Sequence, residues 1–365
     1  MKGRRLFHLG IFSPAIYFGS MNQRTKTVLA SVVKFAIPAV IIAWLLWRME
    51  PEQWSQLHEQ PKNHLLLGSA LLVALSALLV SFLRWWLLVR CQGITLSVVE
   101  ALRLSSIGFL LCFVSAGSVG GDLFKAIFLA RRSRGKRFEA VASVVVDRGA
   151  GLLGLVLLVT IAMVILKPAS ITENEDLARI GQAAMWLSLV GFTVIGVLIL
   201  GGKPIDRLIR WAATWPVVGG TLERVAGPLR MFHHNPVAFG ISLLMSVAVH
   251  VLLAISIFMI AKSIYASPPS FTDHLIIVPI ANIAAALPIA PAGLGVMEAA
   301  MDWLYRVIPT TPTIASGTLV ALIYEIVKVV MAIIGIIFYW SAGRDVKRSI
   351  EDAESTVKPG DNTQE

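Results

Sequence analysis

Apolar runs of about twenty residues, each closed by charged or aromatic side chains, recur along the chain. A run of that length crosses the hydrocarbon core of a bilayer as one helix. The pattern predicts spans over 28–47, 64–89, 138–166, 182–201, 237–262 and 314–341. Trp44 and Trp47 close the first and Trp85-Trp86 the second, where indole rings suit the headgroup layer. Arg84 lies near the end of the second run, within snorkelling distance of the interface.

Two further runs, 98–130 and 273–308, do not read as plain spans. The first carries Phe113-Val-Ser-Ala-Gly117-Ser-Val-Gly120-Gly121-Asp122-Leu-Phe-Lys125, with glycines and an acid where a spanning helix wants leucine. The second carries Leu287-Pro288-Ile-Ala-Pro291-Ala-Gly293-Leu-Gly295-Val-Met-Glu298. Non-helical backbone at membrane depth is tolerated only where protein or a polar cavity covers it. Arg90 precedes the first run and Arg131-Arg-Ser-Arg-Gly-Lys-Arg137 follows it, so both ends read as cytoplasmic. Residues 98–130 are therefore expected to form a re-entrant hairpin, and 273–308 a second one entering from outside.

These elements predict an all-α polytopic membrane protein: six spanning helices and two re-entrant broken hairpins, N-in and C-in. Residues 1–26 form a cytoplasmic N-terminal segment, and Met21 is an alternative start to Met1. No Ala-x-Ala site stands out there, which argues against a secretory leader. Residues 203–235, with Arg207, Arg210, Trp211, Trp215, Arg224 and Arg230, read as cytoplasmic helices along the interface. Residues 343–365 form a polar cytoplasmic tail.

The order span, span, broken hairpin, charged span occurs twice, in 27–166 and 167–342. Gly117 has its counterpart in Gly293 and Asp122 in Glu298; Asp147 and Glu325 follow in the next spans. Hairpins entering from opposite sides make the halves an inverted repeat, an arrangement many secondary transporters use for alternating access.

Composition narrows the function classes. At 56% hydrophobic, 15% charged and mean hydropathy +0.75, the chain is too apolar for a soluble domain. Its net charge of +10 places Lys and Arg in loops facing anionic headgroups rather than nucleic acid. Cys91 and Cys112 form no disulfide framework and no metal pattern.

Gly117, Gly120 and Gly121 free the backbone to turn, and a half-helix starting near Asp122 would aim its N–H groups at the break. Such a terminus attracts phosphate; equally, Asp122 could simply cap it. Lys125 shares a face with Asp122. Asp147 and Arg148 point about 100° apart on a helix, so each needs a partner from elsewhere, with Asp122 and Lys125 as candidates. Pro291, Gly293 and Gly295 break the second hairpin ahead of Glu298, and Glu325 and Lys328 are spaced to pair with each other. Each charge at depth costs at least ~2.5 kcal/mol unless compensated, so several imply a polar cavity and a transport path. His250 reads as a buried hydrogen-bonding residue. No HExxH, Cys-His cluster or Ser-His-Asp constellation is visible, so neither catalysis nor a cofactor is expected.

Gly120-Gly121-Asp122-Leu-Phe-Lys125, Asp147-Arg148-Gly-Ala-Gly151-Leu152 and Ala292-Gly293-Leu-Gly295-Val-Met-Glu298 together resemble the membrane domain of the lysylphosphatidylglycerol synthase/flippase family, over about residues 27–342. Lys125 stands where that family often has Arg, losing a bidentate donor, and the first break lacks the family's proline. The resemblance implies a bacterial inner-membrane flippase moving an anionic or aminoacylated phospholipid between leaflets. The chain ends shortly after its last span, so translocation rather than lysyl-lipid synthesis is expected. The residues alone leave three other readings: an ion-coupled transporter of a small solute, a membrane enzyme acting on a headgroup, and a scaffold for envelope assembly. A homo-oligomer, in which a neighbour covers a lipid-facing break, also stays open.

Overall fold

The computed structural model describes residues 62–133 apart from 115–119, together with 135–166, 175–200, 235–287, 293–311 and 313–341, residue 290 and scattered positions between 40 and 58. All but scattered positions of the expected span 28–47, the segments 1–26, 203–234 and 343–365, and the break residues Gly117 and Pro291 lie outside the described residues. The elements found in the described residues are helices: α1 (His64–Cys91), α2 (Val98–Val114), α3 (Gly120–Arg132), α4 (Arg137–Leu166), α5 (Glu175–Leu200), α6 (Pro236–Ile264), α7 (Phe271–Ala286), α8 (Val296–Val307) and α9 (Gly317–Trp340).

Local chemistry sets several of these starts. Asn63 caps α1 by accepting from the Leu66 N–H at 3.0 Å, and Ser316 caps α9 by accepting from Leu319 at 3.3 Å. At α7, Ser270 accepts from the Asp273 N–H while Asp273 accepts from the Ser270 N–H, a reciprocal capping box.

Helices α1, α4, α6 and α9 are long and apolar enough to cross a membrane. With this all-helical build they make the chain a polytopic α-helical membrane protein. The predicted span 182–201 falls in α5, which begins earlier, at Glu175. Large apolar side chains stand exposed on α5 (Trp186, Leu187, Val190) and α9 (Val329, Ile333, Ile337), which suits contact with hydrocarbon rather than water.

The α1–α6 contact is the most extensive. Ala70, Ala74 and Ala77 form a fully buried stripe on α1 at helical spacing, so the α6 backbone approaches closely. Ser256 donates to the Ala70 carbonyl at 2.8 Å across that seam, and the Asn63 N–H reaches Ser263 O at 3.1 Å. The beginning of α1 therefore meets the end of α6, and the two run antiparallel.

Each predicted hairpin is a pair of short helices folded back on each other. In α2–α3, Glu100 near the start accepts from Arg132 at the end at 2.6 Å. Deeper in, Gly108 and Gly121 pack backbone to backbone: a Cβ on Gly121 would lie 2.0 Å from Gly108 O. Leu104, Ile107, Phe124 and Leu129 bury between the arms, Trp85 of α1 and Ala140 of α4. In α7–α8, His274 near the start and Tyr305 near the end share a hydrogen bond of 2.8 Å. The first pair follows the Cys91 end of α1; the second follows Ile264, beside the opposite end of α1. The pairs are thus based at opposite ends of the α1–α6 column. Packing repeats accordingly: α3 rests on α4 as α8 rests on α9, and α2 on α9 as α7 on α4.

Gly121→Ala should destabilise the protein by about 1–3 kcal/mol, because the added methyl runs first into the Gly108 backbone, which cannot swing aside. Gly149→Ala, whose Cβ meets nothing within 4 Å, should hold or raise stability. Unfolding midpoints of the two variants in detergent, beside wild type, measure this difference.

Candidate functional site

At the first break, α3 opens on Gly120 and Gly121 and carries Asp122 as its third residue. Both Asp122 carboxylate oxygens are engaged: Oδ1 by Lys125 Nζ at 3.3 Å and Oδ2 by Arg148 Nε of α4. The Lys125 ammonium also lies 4.9 Å from the centre of the Trp85 ring, a cation–π contact. Asp122 thus acts as an ionic hub, more than the simple cap that was its alternative reading. Two cations against one acid leave this cluster at net +1. The Arg148 side chain is 55% exposed.

At the second break the backbone takes left-handed conformations at Gly293 (φ +75°) and Gly295 (φ +80°), which glycine adopts without strain. A Cβ on Gly293 would also sit 2.6 Å from Ala285 O. Glu298 is the third residue of α8, matching Asp122 in α3, and its Oε2 accepts from the Gly295 N–H at 2.7 Å. On α9, Lys328 donates to Glu325 Oε1 at 2.5 Å, the pairing their spacing predicts, and packs over Tyr324. Glu298 and Glu325 are close enough to interact electrostatically. Two acids against one cation leave this cluster at net −1.

Helix α2 packs against the helices of both clusters, α3 and α9. Arg103, near the start of α2, donates to Ser341 O beyond the end of α9 at 2.5 Å, while Gly335 backs onto Ser106 and Leu110. The two helices therefore run antiparallel. At about 1.5 Å rise per residue, Lys328 and Glu325 come level with the inner end of α2.

A third polar group corrects the sequence reading. Arg84 does not snorkel: it is 5% exposed, donates from Nε to Asp147 Oδ1 at 2.8 Å and from Nη1 to Ser246 Oγ at 2.9 Å. Asp147 is thereby partnered by α1 rather than by Lys125 of the hairpin, whereas Arg148 does find Asp122 as expected. Ser246 passes the chain on to Ser242 O, and His250 bonds the Gly151 carbonyl at 3.0 Å beside the same guanidinium, as a buried hydrogen-bonding histidine should. Gly151 leaves room for Arg84: a Cβ there would meet its Nη2 at 3.2 Å. The missed signal was periodicity, since Arg84 continues the face of Ala70, Ala74 and Ala77 that meets α6. Trp85-Trp86 suggested a boundary, but α1 runs on to Cys91.

Among the described residues, no group of three or more His, Cys, Asp and Glu is placed to hold a metal ion. The arrangement can bind charge of either sign at depth.

This is a polytopic helical membrane protein with paired charged clusters inside its helix bundle. The chain matches the family described as the lysylphosphatidylglycerol synthase TM region over residues 31–335, and it belongs to that family as a multi-pass membrane protein. No curated protein and no solved structure gives a match.

Arg84→Met leaves Asp147 buried without its cation and should cost about 3–5 kcal/mol, whereas Arg84→Met combined with Asp147→Leu should recover most of that loss. Comparing unfolding midpoints of the single and double variants checks both the pair and its burial.

Proposed function

We propose that the protein translocates a phospholipid, or a lipid-linked polar headgroup, between the leaflets of a bacterial inner membrane. The observation that carries this reading is the pair of oppositely charged clusters within the helix bundle, each built on the first turn of a broken helix. Charges are kept at such depth where a polar pathway uses them. Membership in a family concerned with a membrane phospholipid supports a lipid as the cargo.

In this reading α2–α3 and α7–α8 are re-entrant hairpins entering from opposite sides, and the halves form an inverted repeat. The folded-back arms, their bases at opposite ends of α1–α6, and the repeated packing support it. Arg148, Lys125 and Lys328 hold the phosphate; Asp122, Asp147, Glu298 and Glu325 offset their charge or receive a cationic headgroup. The acyl chains stay in hydrocarbon while the headgroup crosses between the hairpins. The protein acts as a transporter, not an enzyme.

Purified protein in vesicles should exchange fluorescent phospholipids between leaflets. Arg148→Ala and Asp122→Asn should each slow exchange about tenfold or more, the effect of losing one charge-assisted hydrogen bond of about 1.5–3 kcal/mol. Folded variants that exchange lipid at the wild-type rate would remove the site assignment. Saturable uptake of a water-soluble substrate without lipid exchange would replace the lipid with a solute.

A further inference from the structure

Two carboxylate oxygens at the second break are buried without any hydrogen-bond partner: Glu298 Oε1 and Glu325 Oε2. Glu298 is 0% exposed, and its other oxygen is held by the Gly295 N–H at 2.7 Å. The other oxygen of Glu325 is held by Lys328 at 2.5 Å. Each carboxylate is therefore satisfied on one side and bare on the other. An ionised carboxylate buried with an unfilled acceptor is strongly disfavoured, and protonation relieves it by removing the charge and supplying a donor. Two carboxylates in electrostatic reach of one another cannot readily both stay charged.

Among the described residues, no second cation pairs with them. Lys328 is the basic group at the pair, and the Tyr324 hydroxyl is its neutral neighbour on α9. Further along α8, Asp302 is occupied with Arg306 at 3.0 Å. On α7, Asp273 and His274 lie at the far end, bonded within the Ser270 cap and to Tyr305. Cys112 on α2 belongs to the Asp122 cluster; on α6, His250 bonds Gly151; on α1, Arg84 is committed to Asp147. The first break differs in this respect, because both Asp122 oxygens have cationic partners.

We propose that Glu298 and Glu325 together form a proton-binding site, holding one proton between them and exchanging it with water during the translocation cycle. Release converts one carboxylic acid to a carboxylate and frees one proton; uptake reverses this. The pair then alternates between net zero and net −1 together with Lys328. This makes the proton the coupling ion of the translocation path, and to that extent it rests on the proposed function.

The test begins with infrared difference spectra of the full chain in lipid nanodiscs during a pH titration. Wild type should show, at neutral pH, the carbonyl stretch of a protonated carboxylic acid in an apolar setting, shifted in heavy water. Glu298→Gln and Glu325→Gln should each abolish it, since the remaining acid then has no second carboxylate beside it; Asp122→Asn should leave it. Absence of the band from wild type overturns the proposal without reliance on any variant folding, and so does a band surviving both glutamine substitutions. A band that disappears on adding sodium at fixed pH assigns the site to a metal cation and overturns it too. In vesicles, an imposed proton gradient should change the lipid exchange rate several-fold in wild type and not in Glu298→Gln. Equal wild-type rates with and without the gradient overturn the coupling. The band with no lipid exchange at all retains the proton site and removes the lipid cargo instead, so the two readings fail separately.

Discussion

Compensating charge in hydrocarbon is the constraint on which the rest of this structure depends. An acid or base inside a bilayer must be paired, solvated or neutralised, and a chain that keeps several there must build an environment for each. Arg84 is the plainest case. It sits on the face of α1 that meets α6, so its guanidinium is answered by Asp147 of α4 and Ser246 of α6. Three helices are thereby fixed against each other by directional bonds as well as by packing. Lipid tails are as apolar as leucine, so helix association in a membrane relies on close backbone approach and such polar links. The alanine stripe supplies the first and Arg84 the second.

Glycine serves two separate purposes in this frame. Gly108, Gly121 and Gly335 let helices touch backbone to backbone, which seats the α2–α3 pair against its own arms and against α9. Gly293 and Gly295 instead turn the chain through positive φ, so that α8 can start afresh at depth with Glu298 in its first turn. A helix started there presents a positive dipole end to the interior, and an acid at its third position offsets it. Asp122 and Glu298 occupy that same position in α3 and α8.

Much of this was legible in the sequence because the bilayer imposes length and polarity so strictly. The runs 64–89, 138–166, 237–262 and 314–341 correspond to α1, α4, α6 and α9 within a few residues, since hydrophobic length is read directly. The breaks were legible for the opposite reason: glycine, proline and acid are costly in a spanning helix, so their clustering marks where helix stops. Local pairs at helical spacing, Asp122 with Lys125 and Glu325 with Lys328, followed from geometry along one helix. The Arg84–Asp147 pair joins residues 63 apart on different helices, and nothing in local spacing chooses that partner. Tryptophans beside Arg84 imitated an interface because indole is as much at home between packed helices as among headgroups: Trp85 is buried and stacks under Lys125.

The two halves repeat their packing but not their chemistry, and the difference follows from which atoms answer each acid. Asp122 spends both oxygens on side-chain cations, one of which, Arg148, remains largely exposed. Glu298 takes its single bond from backbone, which brings no charge, and shares its surroundings with Glu325, whose own cation is one turn along α9. A scaffold with related halves thus presents an electropositive cluster at one break and an electronegative one at the other. In the proposed translocation, a headgroup crossing between them would leave a site that attracts its phosphate and meet one that repels it unless the second gains positive charge. Such asymmetry gives a path with alternate openings a reason to load and release at different stages, which two identical clusters would not supply.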